Sequence, residues 1–148
     1  MKDMSPQDAE AIYDLILAID LDEIEPVSNK RLYLKELAVP LRKWLKSYGL
    51  TNRKISVVVP NYSMAMSVDV DVPTAGFYEC FGVTTQAEFV ALDKSVANDR
   101  YENVYKRLSQ KRSDAQWHLK EAIDRAFPQN VDRSNPVIDY FDYTFNVW

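Results

Sequence analysis

The residues of this chain that could do chemistry are few, and their spacing limits what that chemistry is. Asp69 and Asp71 alternate along one strand-like run, and Asp139 and Asp142 lie in another near the end of the sequence. If the two runs pair in a sheet, the carboxylates converge into a site for a divalent cation or for general acid–base work. The plainer reading is a solvated sheet face, because an antiparallel sheet with one wet side needs alternating polar residues there. Cys80 and His118 are single in the chain. Together they would form a nucleophile and its base, but nothing in the sequence brings them together, and a lone cysteine ordinarily serves as a small buried hydrophobe. His118 has no cysteine or histidine at ligand spacing, which excludes the common zinc arrangements. Glycine occurs only at Gly49, Gly76 and Gly82, so neither a phosphate-cradling loop nor a dinucleotide fingerprint can be built. No catalytic residue, metal ligand or cofactor is assigned.

Surface charge and aromatic residues carry more information. Between Met1 and Pro26 stand Asp3, Asp8, Glu10, Asp14, Asp20, Asp22, Glu23 and Glu25 against Lys2 alone. Between Lys30 and Lys54 stand Lys30, Arg31, Lys35, Arg42, Lys43, Lys46, Arg53 and Lys54 against Glu36 alone. The simplest arrangement lays the acidic first helix beside the basic second one. A sharper reading is an acidic docking surface, of the kind an inhibitor presents to a protein that normally holds nucleic acid. Further on, Arg100, Lys106, Arg107, Lys111 and Arg112 alternate with Tyr101 and Tyr105, a composition able to grip phosphates and stack bases. Asp99, Glu102, Asp114 and Glu121 dilute it to a mixed solvated face. Of the C-terminal Tyr140, Phe141, Tyr143, Phe145 and Trp148, alternation leaves some outside, where aromatic rings anchor interfaces. The residues assigned to a partner surface are therefore Asp14, Asp20, Asp22, Glu23, Asp69, Asp71, Asp139, Asp142, Tyr143 and Trp148.

The elements that must position these residues follow from periodicity. Ser5-Pro6-Gln7-Asp8 is a helix start, and Ala9, Ile12, Tyr13, Ile16 and Ile19 recur at helical spacing up to about Asp20. Leu34, Leu37, Ala38, Leu41, Leu45 and Tyr48 define a second helix that Gly49 stops and that Pro40 should kink or divide. The period then becomes two: Ile55, Val57 and Val59, and after the turn residues Pro60 to Ser63, Met64, Met66, Val68, Val70 and Val72, predict an antiparallel hairpin. Phe77 to Val83 reads as a third strand or a packed loop. Thr85 with Glu88 opens a long helical region, expected to break near Lys111, where Ser113 and Gln116 resemble a fresh cap. Val137 to Trp148 reads as a terminal strand.

These elements make an α+β fold: two N-terminal helices, a small antiparallel sheet of three or four strands including the C-terminal one, and a helical segment packed on one face. One domain spanning residues 1–148 suffices, since a chain of this length buries about two-thirds of its unfolded surface. An apolar content of 47% with 12% aromatics supports folding rather than disorder. The net charge of −4 does not mark a nucleic-acid binder. The solitary cysteine, the absence of a leader at Met1 and apolar runs far shorter than the ~20 residues of a membrane span point to a cytoplasmic protein.

Lys54-Ile-Ser-Val-Val-Val59, with Tyr62-Ser63 and Met66-Ser-Val-Asp-Val70 after it, resembles the start of a small domain family of phages and conjugative plasmids, one of the large polyvalent protein-associated domains. The tail from Asn130 through Val137-Ile-Asp-Tyr-Phe-Asp142, with Phe145 and Val147 following, resembles that family's closing stretch. The family has no established activity, so no catalytic residues come with the resemblance. It implies a mobile element in a bacterial host, where small acidic proteins interfere with host defence. The expectation is a non-enzymatic protein-binding factor whose partner is a host protein or protein–nucleic acid complex, an anti-CRISPR-like inhibitor among the roles. The alternative is a nucleic-acid-binding accessory protein using Lys43, Lys46, Arg53 and the Arg107 to Arg112 cluster, and the third a small hydrolase using the aspartates. Oligomeric state is left open.

Overall fold

The computed structural model describes residues 3–59, 67–130 and 145–148. The first helix, α1 (Pro6–Leu17), begins as its sequence dictates: the Ser5 hydroxyl accepts the Asp8 N–H at 3.2 Å, and Pro6 occupies the first turn. Its stripe of Ala9, Ile12, Tyr13 and Ile16 is buried. A 3-10 turn, Leu21–Glu23, follows, with the Asp20 carboxylate accepting the Asp22 N–H at 3.0 Å. Helix α2 (Leu34–Ser47) runs through Pro40 as one helix rather than two. Leu37 before the proline and Leu41 and Leu45 after it are fully buried in one core. Burial of about 1.5–3 kcal/mol per such side chain outweighs the roughly 3 kcal/mol that an internal proline costs. Gly49, at φ +81°, closes α2: its N–H reaches the Lys46 carbonyl at 2.9 Å, and the Leu50 N–H reaches that of Leu45 at 3.1 Å.

Strand β1 (Ser56–Val58) pairs antiparallel with β2 (Val68–Asp71), Val57 opposite Val70. The residues between 60 and 66, including the expected turn, lie outside the described part. The third strand, β3 (Phe145–Val147), is the C-terminal one, and it runs parallel to β2, with Asp69 opposite Asn146. The sheet is therefore mixed, in the order β1-β2-β3, and not antiparallel throughout. The reason is topological: a helical crossover separates β2 from β3, and such a connection returns the chain in the same direction.

Phe77 to Val83 forms neither strand nor loop but a one-turn helix, α3 (Phe77–Cys80), closed by Gly82 at φ +75°. Helical spacing brings the Phe77 and Phe81 rings to 5.0 Å, and both meet Phe89, which overrides the strand preference of the segment. Helix α4 (Gln86–Val90) is capped by Thr85, whose hydroxyl accepts the Glu88 N–H at 3.2 Å, and α5 (Lys94–Arg100) by Asp93. A π-helical turn, Tyr101–Tyr105, joins α5 to α6 (Lys106–Ala126). The expected break near Lys111 does not exist; the region divides earlier, at Asp93. Leu108, Ala115, Leu119, Ala122, Ile123 and Ala126 form one buried stripe, and Arg112 fills its gap by donating to the carbonyls of Val72 at 2.9 Å and Pro73 at 3.2 Å.

Helix α6 packs along α1 and against β3, while α2 covers β1 and β2. Polar cross-braces lock the layers. The Tyr13 hydroxyl donates to the Pro73 carbonyl at 2.6 Å, and buried Asn130 both accepts from the Leu32 N–H at 3.1 Å and donates to its carbonyl at 2.9 Å. Among the described residues no helix is long and apolar enough to cross a membrane.

Candidate partner-binding surfaces

The acids of α1 lie against α6, not beside α2 as charge alone suggests. Glu10 receives two hydrogen bonds from Arg107, the longer at 3.2 Å, and one from Lys111 at 2.9 Å; Lys111 also reaches Asp14 at 2.6 Å. The Arg107 guanidinium, and after it the Lys111 ammonium, hold the Glu10 carboxyl down at about 2. Lys111 is raised in turn, by Asp14 first and Glu10 second. Farther along, Arg125 meets Asp22 at 3.3 Å and donates to the Leu21 carbonyl at 2.8 Å. The α1–α6 contact is set by apolar complementarity, since both helices carry a continuous buried stripe, and the charges follow the packing.

This arrangement splits the surface read from the sequence. Asp14 and Asp22 are ion-paired, and Asp20 is engaged as a cap. Glu23 is exposed and has no ion pair among the described residues. Asp69 accepts from the Asn146 amide at 3.3 Å, and that amide also donates to Ser67 at 2.8 Å, so the first strand aspartate is tied into the β2–β3 pairing. Asp69 and Asp71 are half-buried, and no group of three or more acids, cysteines and histidines converges on a metal site among the described residues. Asp139, Asp142 and Tyr143 lie outside the described residues. Trp148 is placed, and it is 56% exposed.

The chemistry-bearing pair is not assembled. Cys80 is buried, and burial pushes its thiol up, with Glu79 adding to the effect. It lines a small cavity of about 60 Å³ with Tyr13, Tyr105, Leu108 and Arg112. His118 belongs to a different depression, beside Leu17 and Trp117, where Nε2 lies 2.8 Å from the Ile19 carbonyl and donates to it. Tyr105 is likewise drawn into the aromatic cluster, 5.2 Å from Phe77, while Tyr101 stacks on it at 5.8 Å. Four of the five bases interleaved with these tyrosines are engaged as well: Arg107 and Lys111 on Glu10, Arg112 on backbone carbonyls, and Lys106 on Glu102; Arg100 is exposed.

Two surfaces stand out among the described residues. The first is a depression of about 340 Å³ between α6 and the edge strand, lined by Gln116, Trp117, Lys120 and residues Phe145 to Trp148. Trp117 is 75% exposed. The reading of the sequence passed over it, although a signal was present: Trp117 falls off the buried stripe that runs through Ala115 and Leu119. The second is an open basic depression of about 680 Å³ on α2 and the loop after it, lined by Arg42, Lys43, Lys46, Thr51, Asn52 and Arg53. Comparison with protein-family models, curated proteins and solved structures finds no match to the chain.

Proposed function

We propose that this protein is a non-enzymatic binding factor that takes an extended peptide segment of a partner protein along the open edge of β3. The observation that carries the reading is the pair of exposed indoles, Trp117 and Trp148, flanking that edge in one depression. The Trp148 N–H donates to Val70 and its carbonyl accepts from Val72, both at 2.9 Å, so its main chain is spent on β2. In a parallel ladder alternate residues bond to opposite sides, which leaves Val147 free to template another strand. No described strand pairs with that side. Indoles are the preferred anchors of such interfaces, and a folded protein rarely leaves two exposed together without use.

The setting comes from the resemblance of the hairpin and tail to a phage and plasmid domain family. Within it the role is that of an inhibitor of a host defence complex, anti-CRISPR-like, acting by occupation rather than by chemistry. Buried Cys80 and backbone-bonded His118 support the non-enzymatic reading.

The test is crosslinking and capture from a bacterial host lysate with the wild type and a Trp117→Ala/Trp148→Ala variant. A protein retained by the wild type, lost by the variant and indifferent to nuclease is the expected result, followed by reconstitution with the purified partner. Unchanged capture by the variant, or recovery of nucleic acid alone, overturns the reading. Tryptophan-dependent dimerisation in sedimentation would instead make the occupant a second copy.

A further inference from the structure

The basic depression on α2 is a separate matter from the indole edge. Lys43 and Lys46, one turn apart, and Arg42 beside them project from the exposed face of α2, while Arg53 comes from the loop that follows. Arg42 is held in place by donating to the Val57 carbonyl at 2.7 Å. The side chains of Lys43, Lys46 and Arg53 make no hydrogen bond or ion pair among the described residues. A C-terminal lysine such as Lys46 is explained in part by the negative end of the helix dipole. That effect falls off within the last turn and does not account for four cations around one concavity. Arg107, Lys111, Lys120 and Arg125, by contrast, are each matched to a carboxylate.

We infer that this surface binds the phosphate backbone of a nucleic-acid double helix. Charge complementarity selects a polyanion, and the lining selects its form. Thr51 and Asn52 add hydroxyl and amide groups able to bond phosphate oxygens, but no aromatic ring lines the depression. Single strands are held largely by stacking their bases on such rings, so a duplex, whose bases stay stacked on one another, is the better fit. From Arg42 to Lys46 the helix rises about 6 Å, close to two phosphate intervals of one strand measured along the duplex axis. Contacts to the phosphates position a duplex and carry no sequence information of their own. The chain's net charge of −4 opposes the approach only weakly, because salt screens charges beyond about 8–10 Å.

Fluorescence anisotropy with a labelled 20-base-pair DNA duplex, titrated between 50 and 200 mM salt, tests this. Four phosphate contacts give a slope of log affinity against log salt of about −3 to −4, close to a hundredfold weakening over that range. In a Lys43→Ala/Lys46→Ala/Arg53→Ala variant the slope should shrink to about −1 and affinity at 50 mM salt should fall at least tenfold. Lys106→Ala, which removes a cation already paired with Glu102, should leave both unchanged. Should the triple variant lose its urea midpoint, Arg53→Ala alone should still lower the slope by about 0.9. Absence of duplex binding at 50 mM salt, an unchanged slope in the triple variant, or tighter binding of the single strand overturns the assignment. The tryptophan variant retains the duplex, which separates this surface from the β3 edge.

Discussion

The α1–α6 seam and the outer face of α2 carry similar numbers of basic residues and use them in opposite ways. In the seam, Arg107, Lys111 and Arg125 each meet a carboxylate, and Arg112 meets two backbone carbonyls. Around the α2 depression, Lys43 and Lys46 of the helix and Arg53 of the loop after it meet nothing described, and Arg42 meets a backbone carbonyl. The difference teaches that a basic run in a sequence is not by itself a binding surface. What matters is whether the fold supplies its own anions, because a charge neutralised within the molecule has little left to offer a partner.

The comparison can be broken, first and most strongly, at Arg112. Its replacement by alanine strands the Val72 carbonyl, leaves that of Pro73 to the Tyr13 hydroxyl alone, and should lower unfolding free energy by about 2 kcal/mol in urea denaturation. Glu10→Gln should cost about 1 kcal/mol near neutral pH, less than its lowered pKa would suggest, because the cluster is partly open to water. That carboxylate titrates lower in the folded than in the unfolded protein. Its contribution is present above about pH 4.5 and is lost as pH falls towards about 2. Urea midpoints at pH 5 and pH 3 should therefore fall more steeply for the wild type than for Glu10→Gln. Removal of Lys43, Lys46 and Arg53 together should move stability by no more than about 0.5 kcal/mol, as for other exposed side chains without partners. A larger loss would mean that these cations are structural. The smallest effect belongs to Lys106→Ala, about 0.3 kcal/mol, from an exposed pair one helical turn apart.

Local signals were well read from the sequence wherever a few neighbouring residues determine the outcome. The Ser5 cap, the Gly49 stop, the antiparallel pairing of β1 with β2 and a strand at the C-terminal end all followed from such signals. Failures arose where distant residues decided. The division offered at Pro40 as one alternative, beside a kink, does not occur, because Leu37, Leu41 and Leu45 are buried on both sides of it. Ser113 and Gln116 resemble a fresh cap, but the helix continues through them, and Lys111 and Arg112 just before them have long-range partners. Of the partner residues, Trp148 keeps an exposed surface, whereas Asp14, Asp20 and Asp22 are engaged within the molecule.

What the sequence by itself determined is the α+β class, the helix caps and the unequal charge of its two opening segments. The tertiary structure decided which acids meet which bases, the parallel course of β3, and the emergence of Trp117 beside Trp148. The physical reason is range. Caps and periodicity act over a turn or two of chain, whereas burial of apolar stripes chooses which helices touch, and charges can only respond to the neighbours that burial gives them.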